Sequence, residues 1–313
     1  MATPPPRVSI VVPVFNEAAM ITLLFQRLAA TVNPLDRYEW ELILVDDGSS
    51  DDSARRIKDQ AQLFPGKVLL RQFSRNFGHQ AALMAGLEKA TGDAVIFIDA
   101  DLQDPPELFS TFLENFEKGF DVVYAVRQKR DSGLFLKLAY KIFYLLFRKL
   151  AEVPVPLDSG DFGLISRRAA NVIRQMPEKD LLLRGLRSWV GFKQIGVPYD
   201  RPERAAGETK YTLGKLMRLA ASAFFGYSSL PLRISTGCGL ASVVLALLYG
   251  AYALYGKWVL NSNPPGWTSL VLVVLLLGGA QLISVGILGE YIARIYKQSL
   301  DRPLYIVADD HSL

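Results

Sequence analysis

Short β-branched runs alternate with amphipathic stretches through the first half of the chain. Val8–Val14, Glu41–Val45 and Ala94–Ile98 read as strands, with Val122–Val126 a further apolar strand. Between them, Ala18–Thr31, Asp52–Leu63 and Gly78–Ala90 carry helical patterns. This alternation predicts an α/β domain whose mainly parallel sheet is covered by helices on both faces. In such sheets ligands bind beyond the carboxyl ends of the strands. The polar residues that end each run are therefore the first place to look for chemistry.

The pattern changes after residue 230. Ile234–Gly256 and Trp267–Gly289 contain no charged side chain, and each exceeds the ~20 residues that cross a hydrocarbon layer. Asn261, Asn263, Pro264 and Pro265 mark a turn between them, flanked by Tyr252, Tyr255, Trp258 and Trp267 as an interfacial aromatic belt would be. A two-helix transmembrane hairpin over 231–293 is expected. Its linker holds only Lys257, whereas Lys215, Arg218, Arg233, Arg294, Lys297 and Arg302 lie outside it. The positive-inside bias places both outer flanks in the cytoplasm. Met1–Pro6 shows no signal-peptide pattern.

Residues 1–212 are thus expected to form a cytoplasmic domain, and 294–313 a cytoplasmic tail. Two segments between sheet and hairpin look interfacial. In 134–150, Lys137, Lys141 and Arg148 share one helical face while Phe135, Ile142, Phe143, Leu146 and Phe147 fill much of the rest. The stretch 213–230 is similar, with Lys215 and Arg218 near its start and Phe224 and Phe225 further on.

Composition narrows the chemistry. The chain has 313 residues, half of them apolar and 21% charged, which excludes a largely disordered protein and suggests two structural units. One Cys excludes a disulfide framework and a cysteine-based zinc site; two histidines, His79 and His311, exclude a histidine-rich metal site. A divalent ion would need carboxylates, which favours Mg²⁺ or Mn²⁺. A net charge of +4 is too small to argue for a nucleic-acid partner.

The carboxylates are present at the strand ends. The first strand ends Pro13-Val14-Phe15-Asn16-Glu17, the second Val45-Asp46-Asp47-Gly48, and the third Ile98-Asp99-Ala100-Asp101-Leu102-Gln103-Asp104. Crowded acidic groups repel one another unless cations or donors compensate them. Asp99 and Asp101, two residues apart in a strand-to-turn, can aim at one metal with Gln103 as a neutral oxygen ligand. Mg²⁺ on so few carboxylates completes its shell from water and substrate phosphates, so a nucleotide diphosphate is the expected ligand. His79 could reach the site, but a satisfied structural histidine is the favoured reading. Asp158 and Asp161 sit in a Gly-containing loop where a base, an orienting group and a structural turn all remain open.

Together, Ser9–Glu17, Val45–Ser53, Ser74–His79 and Asp99–Glu107 (DADLQDPPE) resemble the family 2 glycosyltransferases of the nucleotide-sugar-binding, GT-A type. The resemblance continues through Asp158–Phe162, Arg204–Lys210 and Gly278–Leu304. It points to the branch that loads one sugar onto a polyprenyl phosphate, most like the bactoprenol glucosyltransferases and related to the dolichol-phosphate mannosyltransferases. It implies that Pro13, Phe15 and Glu17 line the nucleoside pocket, with Asp46 holding the base and Asp47 close by. Asp99, Asp101 and Gln103 would hold the metal, Ala100 would contact the nucleotide, and Arg204 and Lys210 would reach the donor phosphates from a mobile loop. Arg127, helped by Lys137 and Lys141, would hold the acceptor phosphate. Asp158, Asp101 and Arg127 are the expected catalytic residues.

The implied partners are a nucleotide sugar, UDP-glucose before GDP-mannose, a polyprenyl (undecaprenyl) phosphate and the bacterial inner membrane; a homo-oligomer stays open. A processive polysaccharide synthase would share the nucleotide domain, but its Gln-x-x-Arg-Trp signature is missing from Leu186-Arg187-Ser188-Trp189. A non-catalytic partner subunit with a degenerate nucleotide fold need not keep Asp99, Asp101 and Gln103. No G-x-G-x-x-G follows the first strand, which argues against a Rossmann oxidoreductase.

Overall fold

A computed structural model describes residues 5–127, 159–178, 182–200, 230–258 and 266–313. Its described residues up to 200, together with 302–313, form one compact unit, and two long helices form another. The first unit is built on an eight-stranded sheet of order β7-β5-β6-β4-β1-β2-β3-β8. The strands are β1 Arg7–Val14, β2 Glu39–Asp46, β3 Lys67–Phe73, β4 Ala94–Phe97, β5 Val122–Arg127, β6 Ser159–Ser166, β7 Gln194–Tyr199 and β8 Val307–Ser312. β1 pairs in parallel with β2 and β4, β2 with β3, and β5 with β7; β6 runs antiparallel to β4 and β5, and β8 antiparallel to β3.

Every residue of β1 after Arg7 and of β2 after Glu39 is buried, as expected for central parallel strands covered on both faces. Alternate residues feed two cores. Ile10, Val12, Leu42 and Leu44 pack with Leu24, Phe25 and Leu28 of α1 (Ile21–Val32) and with Phe109 and Phe112 of α4 (Phe109–Glu117). Val11, Ile43 and Val45 face Leu83, Met84 and Leu87 of α3 (His79–Lys89). Removing a fully buried Leu or Phe from either layer costs about 2–5 kcal/mol. Gly86 lets α3 approach β1, since a Cβ there would lie 2.2 Å from Val11 Cγ1.

Element ends follow local chemistry. Glu17–Met20 close a turn through the Met20 amide and the Glu17 carbonyl, 2.8 Å apart, so α1 begins later than the apolar pattern suggests. α2 is Ser53–Gln60, followed by a 3₁₀ turn at Ala61–Leu63; Phe64 then turns extended, the conformation preferred before Pro65. α5 (Arg167–Arg174) starts at a Ser166 cap, whose hydroxyl accepts the Ala169 amide at 3.3 Å. α6 is Leu183–Trp189.

The second unit contains α7 (Leu230–Trp258) and α8 (Trp267–Ser299), which pack against each other. Both are long and apolar enough to cross a membrane by length and composition, over Ser235–Tyr252 and Leu276–Ser299. α8 continues past its uncharged run to take in Glu290, Arg294 and Lys297. The expected interfacial helices, 134–150 and 213–230, lie outside the described residues apart from Leu230, which opens α7. The stretch 294–313 is more than a tail, because β8 completes the sheet of the first unit.

Candidate active site

In-register pairing fixes the site. Val14 of β1 lies opposite Asp46 of β2, and Val11 opposite Phe97 of β4, so the residues following all three strands emerge at one edge. There they line an open cleft of about 320 Å³. Pro13, Val14, Phe15 and Glu17 come from the first strand end, Asp47 from the second, and Asp99, Ala100 and Asp101 from β4. Asn76, Gly78 and His79 complete the lining from the loop after β3 and the start of α3.

The loops are tied to one another. The Asn16 amide donates to Ser49 Oγ (2.9 Å), Asn16 Oδ1 accepts the Ser50 amide (2.8 Å), and the Glu17 amide donates to Ser53 Oγ (2.9 Å). Asp46 turns into its own loop, accepting the Ser49 amide at 3.0 Å and Gln72 Nε2 at 3.3 Å. Asp47 accepts the amides of Phe77 (2.6 Å) and Gly78 (2.9 Å), which draws the β3 loop onto the cleft. Gly48 is required there: its φ is +69°, and a Cβ would meet the Arg75 carbonyl carbon at 2.4 Å. Beyond Asp101, Leu102 holds a left-handed φ of 53° while Asp101 Oδ1 accepts the Gln103 amide at 3.1 Å. Such a conformation costs a branched residue about 1–3 kcal/mol, and strain of this kind gathers at functional turns.

Charge is concentrated. The Asp99 side chain keeps 37% of its surface open to the cleft, yet protein atoms crowd around it. Burial pushes its pKa up to about 6; His79 pulls it down, whereas Asp104, Asp161 and Asp101 add to the rise. His79 Nε2 stands 3.6 Å from Asp99 Oδ1 and 3.7 Å from Asp161 Oδ2. Burial would lower the His79 pKa, but Asp161, Asp99 and Asp47 outweigh it and hold the imidazole above its ordinary range. Burial likewise opposes ionisation of Asp161, and His79, Arg184 and Gln80 overcome it, so that this carboxyl stays below its ordinary range. Gln80 bridges inward: Nε2 donates to Asp161 Oδ2 (2.7 Å) and Oε1 accepts the Leu183 amide (2.7 Å) at the start of α6.

The structure thus brings Pro13, Phe15, Glu17, Asp47, Asp99, Ala100 and Asp101 together in one cleft. Asp46 and Gln103 are buried beside it rather than among its lining. Arg127 ends β5, with Asp104 and Asp99 within electrostatic reach of its guanidinium. Asp158, Lys137, Lys141, Arg204 and Lys210 lie outside the described residues. His79 lines the cleft rather than being a purely structural histidine, and Asn76 joins it; the sequence signal for both was their place in Ser74–His79, one of the stretches that carry the resemblance.

The donor set suits a hard cation. Among the described residues no group of three or more His, Cys, Asp or Glu is arranged to hold a metal ion. The cleft instead presents the two carboxylates of Asp99 and Asp101, a number that matches Mg²⁺ or Mn²⁺ sharing its shell with water and phosphate oxygens.

Comparison with known proteins agrees with this geometry. Residues 9–174 match the model of glycosyl transferase family 2, and residues 230–295 match the GtrB C-terminal hairpin. The chain is 42% identical to the glycosyltransferase YkcC of Bacillus subtilis, covering 97% of this chain and 94% of YkcC. It is 40% identical to the prophage bactoprenol glucosyl transferase homolog of Escherichia coli K12, over 96% of this chain and 98% of that one. The bactoprenol glucosyl transferase of Shigella phage SfV is also 40% identical, over 97% and 99%.

Proposed function

This chain belongs to glycosyl transferase family 2, and from that premise we propose that it transfers one hexose from a nucleotide sugar to a polyprenyl phosphate. The favoured donor is UDP-glucose, the favoured acceptor undecaprenyl phosphate, and the place the cytoplasmic face of the bacterial inner membrane. What carries the reading is the coexistence in one chain of an acidic cleft at Asp47, Asp99 and Asp101 with a hairpin of the GtrB type. Relatives named as bactoprenol glucosyl transferases are 40% identical to this chain over nearly their whole length.

The acceptor needs little activation. A phosphate monoester with a second pKa of about 6 is largely dianionic at neutral pH, so its oxygen is already a nucleophile. That oxygen forms the bond to the anomeric carbon as the bond to the nucleoside diphosphate oxygen breaks. In-line displacement inverts the centre, giving a β-linked product from an α-linked donor. Arg127 holds the acceptor phosphate, and Lys137 and Lys141 add positive charge beside it. Pro13, Phe15, Glu17 and Asp47 seat the nucleoside, while Arg204 and Lys210 meet the donor phosphates. Asp99 and Asp101, with Gln103 behind them, would hold Mg²⁺ or Mn²⁺, which when bound neutralises charge on the departing diphosphate.

The test incubates purified full-length protein in detergent or vesicles with Mn²⁺, polyprenyl phosphate and a panel of nucleotide sugars. A glycolipid formed from UDP-glucose is expected. A product from GDP-mannose alone moves the donor assignment, and nucleotide release without any lipid product overturns the reading.

A further inference from the structure

Arg127 and Asp104 come from distant parts of the chain, and one hydroxyl joins them. Tyr199, the last residue of β7, accepts a hydrogen bond from Arg127 Nε (3.2 Å) and donates to the Asp104 carboxylate. Tyr199 is 7% exposed and Asp104 2%, so this chain of three groups runs through the interior. Parallel pairing of β5 with β7 sets Arg127 directly opposite Tyr199, which fixes the geometry by register. The ring of Tyr199 is held edge-on by Phe162, centroid to centroid 6.0 Å. On the other side of Arg127, Gly160 leaves room for the guanidinium: a Cβ there would sit 3.2 Å from Nη2.

We infer that Tyr199 is a positioning residue for acceptor binding, locking Arg127 in register with the acidic Asp99–Glu107 turn. The inference rests on the reading of Arg127 as the acceptor-phosphate cation. An arginine side chain loses rotamer entropy when it is fixed, and that cost falls on binding unless the protein fixes it beforehand. The Tyr199 bond takes Nε for orientation and leaves the Nη fork, the part that matches a phosphate bidentately, to the ligand. Asp104 makes the anchor firm, because a carboxylate is a stronger acceptor for the phenol than water is. The phenol is correspondingly reluctant to ionise: burial and Asp104 push its pKa up to about 12. It therefore remains a donor to Asp104 throughout the working pH range.

Tyr199→Phe tests this, since it keeps the ring against Phe162 and deletes only the hydroxyl. With wild-type full-length protein as reference, KM for polyprenyl phosphate should rise about tenfold. KM for the nucleotide sugar and kcat should each change less than about twofold. Asp104→Asn should shift acceptor KM in the same direction, which guards against a Phe variant that folds poorly. In an Arg127→Ala background, Tyr199→Phe should add nothing, because its effect passes through Arg127. An unchanged acceptor KM, or a rise that persists without Arg127, overturns the inference while leaving the proposed function standing. A wild-type protein that glycosylates no polyprenyl phosphate overturns both.

Discussion

Asp101 shows how one side chain can be both structural and chemical. Its Oδ1 accepts the Gln103 amide and so supports the turn in which Leu102 sits at positive φ. Asn offers the same acceptor without the charge. Asp101→Asn should therefore leave the thermal transition within a few degrees of wild type. Transfer should fall on the order of 10²–10³-fold, the usual loss when one preorganised electrostatic partner is removed. Mn²⁺ titration of the two proteins should show the weakened site directly. Full activity in the variant would remove Asp101 from the metal assignment. The acidic residues were legible in sequence because a cluster of carboxylates after apolar strands has few purely structural uses. His79 was legible only in part: the sequence let it reach the site, but its meaning depends on Asp99 and Asp161 standing 3.6 and 3.7 Å away, and neither neighbour is near it in the chain. Arg187 was illegible. It is almost wholly buried beneath β6, donating from Nη2 to the Gly160 carbonyl at 3.2 Å, and its Nε and Nη1 have no hydrogen-bond partner among the described residues.

At the scale of elements, β8 joins the sheet edge by antiparallel pairing with β3 and is tied there by charge as well. Arg71, nearly buried in β3, forms a two-pronged pair with Asp310, 2.9 Å at each contact, and Lys89 of α3 reaches Asp310 at 3.1 Å. Tyr305 stacks on Phe73 at 4.7 Å, and the Ser74 amide donates to the Ile306 carbonyl at 3.0 Å. The same strand β3 leads into the cleft loop of Asn76 and Gly78, so the C-terminus braces that loop from behind. The hydrogen bond from Arg71 holds the Asp310 pKa below its ordinary range, with Lys89 adding to the effect against a smaller opposing push from burial. A depressed carboxylate stabilises the fold above its unfolded pKa, and that contribution is lost as pH falls through the folded value. Hydrogen exchange over 307–312 should therefore quicken below about pH 4 relative to β1 and β2. Asp310→Asn should show the same quickening at neutral pH. If neither change loosens β8, the ion pair does not hold it.

The same strand marks the limit of reading elements from sequence. Val8–Val14, Ala94–Ile98 and Val122–Val126 matched real strands to within a residue or two, because parallel strands buried on both faces are apolar throughout. β8 reads Val-Ala-Asp-Asp-His-Ser, a polar edge strand whose partner β3 lies more than two hundred residues earlier. No local pattern signals such a pairing. β6 and β7 are comparable cases: they join a sheet whose order, β7-β5-β6-β4, is set by tertiary packing rather than by succession in the chain.

For the whole molecule, the hairpin was the most legible feature, because crossing a bilayer imposes a length and a composition on contiguous residues. α7 and α8 meet that length and composition over Ser235–Tyr252 and Leu276–Ser299. Their orientation is a separate question on which the flanking charges give an expectation: six basic residues outside the two uncharged runs against Lys257 between them favour a linker on the far side from the N-terminal domain. A polyprenyl phosphate can meet a nucleotide sugar made in the cytoplasm only if that domain faces inward, so topology and proposed chemistry stand or fall together. The chain's single cysteine, Cys238, makes the test simple. In a Cys238→Ser background, Asn261→Cys should react with an impermeant maleimide added to intact spheroplasts, while Leu313→Cys should react only after permeabilisation. The reverse pattern would place the acidic cleft on the side of the membrane that lacks its donor, and would rule out the cytoplasmic reaction.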